Sequence, residues 1–279
     1  MTLTPLADGF CFGEGPRWFE DLVWFSDMLG EAVHTVTLDG LLSTLALPGH
    51  SPSGLGFCPD GSLLIVSTER REVLRYDGES VDVYADLSEL APAALGDMVI
   101  DCGGTVYVGS QARAAGVIVR LDPGDGVAAA ATVVAQHLDF PNGMVLTPDG
   151  ATLIVAESVG RRLTAFTVAA DRTLGERRAF AEALDGPPDG LCLDTEGGVW
   201  TAMTLANQFQ RIVSVDGVAT VTDRIDIGER VAIACALGGP EGRTLFLVSA
   251  ADAYPERLRG TTLSRLDATT VDIPAPAQP

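Results

Sequence analysis

The chain has 279 residues, and its 38 acidic residues outnumber its 18 basic ones to give a formal net charge of −20. Binding to nucleic acid requires a basic surface, so this composition excludes nucleic acid as the expected partner and disfavours an anionic membrane surface. No apolar run reaches the roughly 18 residues of a membrane helix, and the amino terminus lacks a signal-peptide pattern.

The predicted elements along the chain are almost all short strands. Runs rich in Val, Leu, Ile, Thr and Phe are separated by Gly and Pro, which number 31 and 16, and this pattern is typical of β structure. The best helix candidate, residues 86–95, is short and contains Pro92. In the middle of the chain, strands are predicted at 143–147, 152–156, 162–168 and 178–181, which would form one four-stranded antiparallel unit.

Turn signals repeat six times along the chain at nearly constant spacing. They are Asp21, Asp60-Gly61, Gly103-Gly104, Asp149-Gly150, Glu196-Gly197 and Glu241-Gly242. A period of about 40–45 residues is typical of β-propeller blades. We therefore predict an all-β, six-bladed β-propeller with four-stranded antiparallel blades around a central channel, spanning residues 1–279 as one domain and one monomer. We expect the amino-terminal residues to add a strand to the last blade and so close the ring.

One position, seven residues before each turn, should be structurally equivalent in all six units. We call these the ring positions, and they are Glu14, Ser53, Gly96, Asn142, Asp189 and Ala234. Because the first strand of each blade surrounds the channel, we expect the ring positions to meet at one mouth of it. The segments that follow the second strands should form the rim of the same mouth.

Three ring positions carry oxygen ligands for a divalent cation. Glu14, Asn142 and Asp189 would place two carboxylates and one amide on a narrow axis, where a cation would offset the charge. Three protein ligands leave room for water and substrate, as catalysis requires. We assign these three residues as metal ligands and Asp189 also as the general base. Taken singly, Asp-Gly and Asn-Gly pairs are common turn residues. The metal site is favoured because all three residues occupy the same position of the repeat.

Other side chains near this mouth are candidate contacts for a substrate. His50 is a candidate because it lies just before the second inner strand. Ser53 and Asp97 are also candidates, and their alternative role is a structural hydrogen bond. The full set is Ser53, His50, Asp97, Met98, Gln111 and Met203. The cysteines are five, an odd number without CxxC spacing, so we expect free thiols and a reducing, cytoplasmic setting.

Several motifs resemble one known family. Residues 13–18 (GEGPRW) and 23–27 (VWFSD) resemble the opening blade of the senescence marker protein/gluconolactonase/luciferin-regenerating enzyme family. Residues 140–143 (FPNG) and 188–190 (PDG) resemble its later metal-bearing blades, and residues 235–239 (CALGG) its last blade. The resemblance implies a six-bladed propeller, one divalent metal (calcium first, with zinc, manganese or magnesium in some members) and hydrolysis of a small-molecule lactone or related ester.

One departure from that family concerns the third blade. Sugar-lactonase members usually have an Asn-Asp pair where this chain has Gly96-Asp97. The candidate rim residues include several apolar ones and are Met28, Met98, Met144, Met203, Phe209 and Tyr254. Because a polar contact is missing and these residues are predicted at the rim, we expect a lactone less polar than gluconolactone. The alternatives are a propeller that serves as a binding scaffold with a structural metal, or an isomerase or cyclase that uses the same site. The sequence leaves open the natural substrate, the physiological metal and the effect of Gly96.

Overall fold

Twenty-four strands form in residues 2–215 and 217–276, the part of the chain that the computed structural model describes. In chain order they are β1 (Thr4–Phe10), β2 (Gly13–Phe19), β3 (Leu22–Asp27), β4 (Ala32–Val36), β5 (Leu42–Ala46), β6 (Pro52–Phe57), β7 (Leu63–Ser67), β8 (Glu72–Tyr76), β9 (Val81–Asp86), β10 (Leu95–Ile100), β11 (Val106–Ser110), β12 (Gly116–Asp122), β13 (Ala130–Leu138), β14 (Pro141–Leu146), β15 (Thr152–Glu157), β16 (Arg162–Val168), β17 (Leu174–Ala181), β18 (Pro188–Leu193), β19 (Val199–Met203), β20 (Gln208–Val215), β21 (Val218–Asp226), β22 (Val231–Gly238), β23 (Thr244–Ala250) and β24 (Ser264–Thr270).

These strands form six four-stranded antiparallel sheets arranged as the blades of a propeller, which confirms the predicted fold. Blades one to five each use four consecutive strands, from β2 to β21. Blade six has the order β1-β24-β23-β22, so the amino-terminal strand pairs with the last strand of the chain. The expected closure of the ring by amino-terminal residues is confirmed.

The hydrophobic core lies between neighbouring blades. Second strands such as β7 and β19 are buried along their whole length, because blades cover both of their faces. Strands buried on both sides read as continuous apolar runs, which is the pattern of Leu64 and Val66 in blade two. These side chains pack with Leu95 and Met98 of blade three in one cluster.

The predicted helix at 86–95 is wrong. Strand β9 ends at Asp86, and a turn segment without regular structure leads to β10 at Leu95. The guanidinium of Arg71 donates hydrogen bonds to the carbonyl oxygens of Ser88 and Ala91, at 2.9 and 3.0 Å. Those carbonyls are therefore bonded to a side chain rather than to a helical backbone.

The helices among the described residues are two short 3₁₀ turns, Thr204–Ala206 and Pro255–Leu258. Both lie in segments that follow the second strand of a blade. In the part of the chain that the structure describes, no helix has the length and apolarity needed to cross a membrane.

Candidate functional site

The innermost strand of every blade is irregular at its ring position. Antiparallel pairing with the second strand shifts register within the first five residues of each inner strand. The shifts lie between Glu14 and Arg17, Pro52 and Leu55, Leu95 and Met98, Pro141 and Met144, Pro188 and Leu191, and Ala232 and Ala234. A bulge turns a side chain away from the regular alternation of a strand, so six bulges at equivalent positions can aim six residues at one axis.

Glycine after the ring position lets neighbouring inner strands approach closely. A Cβ atom at Gly143 would collide with the carbonyl oxygen of Asp189 and lie 2.7 Å from the backbone nitrogen of Leu191. A Cβ atom at Gly190 would lie 2.5 Å from Cβ of Ala234. The backbones of blades four, five and six therefore touch at the level of the ring.

Asn142 and Asp189 are in direct contact at this level. The side-chain amide of Asn142 donates a short hydrogen bond to Oδ1 of Asp189 and a longer one, 3.4 Å, to Oγ of Ser158. The Ser158 hydroxyl in turn donates to the carbonyl oxygen of Pro188 at 2.7 Å. On its other side, Oδ1 of Asn142 accepts a hydrogen bond from Nε2 of Gln111 at 3.2 Å.

Glu14 belongs to the same group of side chains. Its residue is 8% exposed, as is Asp189, and its Oε2 accepts a hydrogen bond from the backbone nitrogen of Gly15 at 3.1 Å. Burial, followed by the charges of Asp189 and Asp97, raises the pKa of Glu14 well above its usual value. Burial and the charge of Asp97 likewise raise the pKa of Asp189. The carboxylates of blades one and five are thus close enough to repel each other.

Asp97 is a third buried carboxylate, and it is paired. Nη2 of Arg17 lies 3.4 Å from Oδ1 of Asp97 and donates to the carbonyl oxygen of Met98 at 2.9 Å. Burial raises the pKa of Asp97, and the Arg17 charge opposes that rise. Since Arg17 offsets one of the three carboxylates, two negative charges remain when Glu14 and Asp189 are also ionised.

The residues at this mouth suit a hard divalent cation. Two carboxylates and an amide oxygen are the donor types that Ca²⁺, Mg²⁺ and Mn²⁺ prefer, and the uncompensated charge of Glu14 and Asp189 matches a charge of two. Among the described residues, no three His, Cys, Asp or Glu side chains form a metal-binding group. A cation site formed by Glu14 and Asp189 therefore depends on a third ligand, the amide of Asn142, whose oxygen accepts a hydrogen bond from Gln111 in this structure.

Three of the predicted substrate contacts lie at or near this mouth. Ser53 is buried at its ring position, and its carbonyl oxygen accepts a hydrogen bond from Ser26 at 2.6 Å. His50 is half-buried, with Nδ1 2.9 Å from Oγ of Ser67, and burial followed by the charge of Arg70 lowers its pKa. Gln111 is half-buried beside Asn142.

The two predicted methionine contacts face the core instead. Met98 packs between blades two and three, and Met203 packs with side chains of blades four and five; both are 0% exposed. This burial gives no support to the two predicted substrate contacts, which stay predictions. Asp97, the remaining candidate, lies against Arg17 as described above.

Two other apolar residues expected at the rim, Met144 and Phe209, are also buried. The apolar side chains that do project near this mouth follow the second strands of blades four to six. They are Val159, Leu205 and Tyr254, at 41%, 60% and 49% exposure.

The opposite mouth of the channel contains an open cavity of about 410 Å³. It lies where the inner strands end, and residues such as Leu146, Leu193 and Leu237 line it together with Arg17. Arg17 thus borders this cavity and also contacts Asp97. The candidate metal ligands do not line the cavity, so the two mouths differ in chemistry: one is acidic and the other largely apolar.

Sequence reasoning missed Arg17, and it placed Ser158 in a rim segment without giving it a role. Arg17 lies three residues after a ring position, and no other blade has a basic residue there, so the repeat provided no signal. Ser158 follows a second strand at the position that Gln111 occupies in blade three; the backbone nitrogens of both residues donate to a carbonyl two residues before a ring position. Comparing the repeats at that position would have found it.

Known proteins resemble this chain over nearly all of its length. The model of the SMP-30/Gluconolactonase/LRE-like region matches residues 12–251. Pentonolactonase XacC of Haloferax volcanii is 28% identical over 261 residues, covering 90% of this chain and 86% of that protein. The 6-deoxy-6-sulfogluconolactonase of Pseudomonas putida is also 28% identical, over 280 residues, covering 96% and 94%.

Among solved structures, a calcium-binding protein, regucalcin, from Agrobacterium tumefaciens superimposes with a TM-score of 0.82 at 21% identity. The match covers 100% of this chain and 96% of that one. At this level of identity the similarity shows the fold alone.

Proposed function

The chain belongs to the SMP-30/gluconolactonase/LRE-like family, and from that premise we propose that it is a hydrolase that opens a small-molecule lactone. Glu14, Asn142 and Asp189 would hold one divalent cation, with Ca²⁺ first and Zn²⁺, Mn²⁺ or Mg²⁺ as alternatives. Asp189 would be the general base. The supporting observation is the contact of these three blades at one mouth, where Glu14 and Asp189 are both buried and Arg17, the basic group that acts on Glu14, is already paired with Asp97.

The reaction adds water to the ester carbonyl carbon, breaks the ring carbon–oxygen bond and gives a hydroxy acid. A divalent cation bound at this site supplies polarisation of the carbonyl and a lower pKa for water. Asp189 would then accept the proton that the attacking water loses.

The neighbouring residues keep these groups oriented. The backbone nitrogen of Gly15 fixes the carboxylate of Glu14, and Arg17 holds Asp97 so that this carboxylate does not compete for the same cation. Near-complete burial of Glu14 and Asp189 limits bulk water around the reacting atoms, which strengthens electrostatic interactions there.

For the substrate, we propose a hydroxylated sugar lactone in place of the less polar lactone expected above. Four of the apolar residues on which that expectation relied are buried in the core. Two relatives are named as lactonases of pentono- and sulfoglucono-lactones. We also propose a cytoplasmic setting, which suits five free thiols.

A lactone panel with and without chelator tests this proposal. Aldonolactones with five- and six-membered rings are compared with alkyl-substituted lactones by pH-stat titration, before and after addition of EDTA and then of excess Ca²⁺, Mn²⁺ or Zn²⁺. We expect ring opening of aldonolactones that EDTA abolishes and metal restores. Faster opening of alkyl lactones would favour a substrate contact with Val159, Leu205 or Tyr254. The absence of metal binding and of turnover would point to a binding scaffold.

A further inference from the structure

We infer that Gln111 is a positioning residue that sets the orientation of the Asn142 amide, and that it does so from the space left free by Gly96. The inference rests on the proposed function, because it concerns how Asn142 becomes a metal ligand. It assigns Gln111 a different role from the substrate contact expected from the sequence.

Gln111 occupies the side-chain space of the third ring position. A Cβ atom at Gly96 would collide with Nε2 of Gln111 and lie 2.8 Å from its Cδ. The backbone of Gln111 is fixed by a hydrogen bond from its nitrogen to the carbonyl oxygen of Ala94 at 2.8 Å. Blade three therefore supplies its polar group from the end of the second strand instead of from the inner strand.

Asn142 can serve as a cation ligand only through its oxygen. In this structure its nitrogen faces Asp189 and Ser158, while its oxygen accepts the hydrogen bond from Gln111. For the oxygen to face the Glu14 and Asp189 carboxylates, the amide must turn over, and its nitrogen then faces Gln111. The partner at position 111 must therefore donate in one orientation and accept in the other.

A glutamine side chain meets this requirement because its amide has both a donor and an acceptor end. Ser158 cannot take over this role. It lies on the same side of Asn142 as Asp189, and its hydroxyl proton is already donated to the carbonyl oxygen of Pro188. Gln111 can thus satisfy Asn142 with or without a cation. Groups that orient a metal ligand commonly change metal affinity about 10- to 100-fold when they are removed.

The first test measures Ca²⁺ binding to the full-length protein by calorimetry, with CaCl₂ alone and with Mn²⁺ and Mg²⁺ in parallel. Gln111→Met keeps the length of the side chain but removes both hydrogen-bonding ends, and we expect its Kd to rise about tenfold or more. Gln111→Glu keeps an acceptor and should bind at least as tightly as the wild type. Gln136→Met, on an exposed outer strand, is the matched control and should leave the Kd unchanged.

Kinetics distinguish positioning from substrate contact. At saturating Ca²⁺, Gln111→Met should recover the wild-type KM for the lactone, because the defect is in metal binding. An unchanged Kd in Gln111→Met, a loss in Gln111→Glu equal to that in Gln111→Met, or a KM that stays high at saturating Ca²⁺ would each overturn the inference. If the wild type itself bound no divalent cation, the proposed function would fail first and the inference with it.

A stability cycle tests the shared space without any metal. Gly96→Asn should lower the melting temperature when Gln111 is present, because the new side chain meets the glutamine. In a Gln111→Ala background, Gly96→Asn should lower the melting temperature much less. Equal costs in both backgrounds would show that positions 96 and 111 do not share this space and would overturn that part of the inference.

Discussion

Asn142 donates a hydrogen bond from its side-chain amide to Oδ1 of Asp189, across the boundary between blades four and five. The two residues are 47 positions apart in the chain, which is the length of one repeat, so they hold equivalent places in consecutive blades. This contact joins the residue proposed as general base to the residue proposed as a neutral ligand of the same cation. The first predictions follow from it.

Asp189→Asn should lower lactone turnover by a factor of about 10² to 10⁴, which is the usual contribution of general-base catalysis. In EDTA the same variant should melt at a higher temperature than the wild type at pH 7. The reason is that burial and the charge of Asp97 raise the pKa of Asp189, so the ionised form destabilises the fold as the pH rises above the usual carboxyl pKa. Initial rates and calorimetric melting measure the two effects. Asp185→Asn, in an exposed position, is the control, and turnover in Asp189→Asn close to the wild-type rate would refute the base assignment.

Glu14→Gln should mainly weaken metal affinity. The substitution keeps an oxygen ligand but removes one of the two uncompensated charges, so a higher metal concentration should restore part of the activity. Titrating activity against free Ca²⁺ would show the shift, and Glu20→Gln in an exposed turn should behave like the wild type. Loss of activity that no metal concentration relieves would mean that Glu14 acts on the substrate instead.

Arg17→Met should destabilise the protein by about 2 kcal/mol, because it leaves the buried Asp97 carboxylate without its partner. The double variant Arg17→Met/Asp97→Asn should recover most of that loss. Urea unfolding of the single and double variants measures the coupling free energy. Equal destabilisation of Arg17→Met and the double variant would indicate that Arg17 contributes through packing alone.

Glu157 should make the protein sensitive to acid. Burial alone would raise its pKa, but hydrogen bonds from Arg162, Thr164 and the backbone of Asp139 outweigh burial and lower the pKa to about 2. A depressed pKa contributes stability above the unfolded value of roughly 4.5, and that stability is lost as the pH falls towards 2. The contribution is about 3 kcal/mol at neutral pH.

Unfolding free energies measured between pH 6 and pH 2.5 check this assignment. Glu157→Gln should be less stable than the wild type at pH 6, and its stability should fall less steeply below pH 4.5. The matched control is Glu176→Gln, which changes an exposed position of strand β17. Parallel pH profiles for Glu157→Gln and the wild type would contradict the assignment.

Gly143→Ala should destabilise the propeller by about 2 kcal/mol or more, since the added methyl group would overlap the backbone of blade five. It should also lower activity, because the collision is with Asp189 itself. Gly103→Ala, in an exposed turn where the nearest atom belongs to a side chain, should cost far less. Circular dichroism melting and lactone rates separate the two effects.

The repeat in the sequence predicted the architecture because each blade is built from the same local signals. A turn about every 40 residues and the apolar runs around it define the first two strands of each blade. The sequence therefore showed directly that Glu14, Asn142 and Asp189 occupy equivalent ring positions. The helix prediction failed because residues 86–95 are held by Arg71, a long-range contact without a local sequence signal.

The burial of Met98 and Met203, which the sequence pattern did not predict, has a local geometric cause. Met203 is the last residue of its strand, one position before Thr204, and a shift of one residue in a strand moves a side chain to the opposite face. Met98 follows the bulge in its inner strand, where the regular alternation is interrupted. The pairings Arg17–Asp97 and Gln111–Asn142 join different blades, so only the closed ring brings them together.

The pairing of β1 with β24 also has a consequence for assembly. Thr4 is the register partner of Ala268, so the sixth sheet is completed by residues from opposite ends of the chain. Five sheets can form from consecutive segments as they emerge during synthesis, whereas the sixth must await the last strand. Contacts between such distant residues slow folding. Until β24 is available to pair with β1, the five formed blades would make an open arc, and Glu14 and Asp189 would reach their final separation only when that pairing closes the ring.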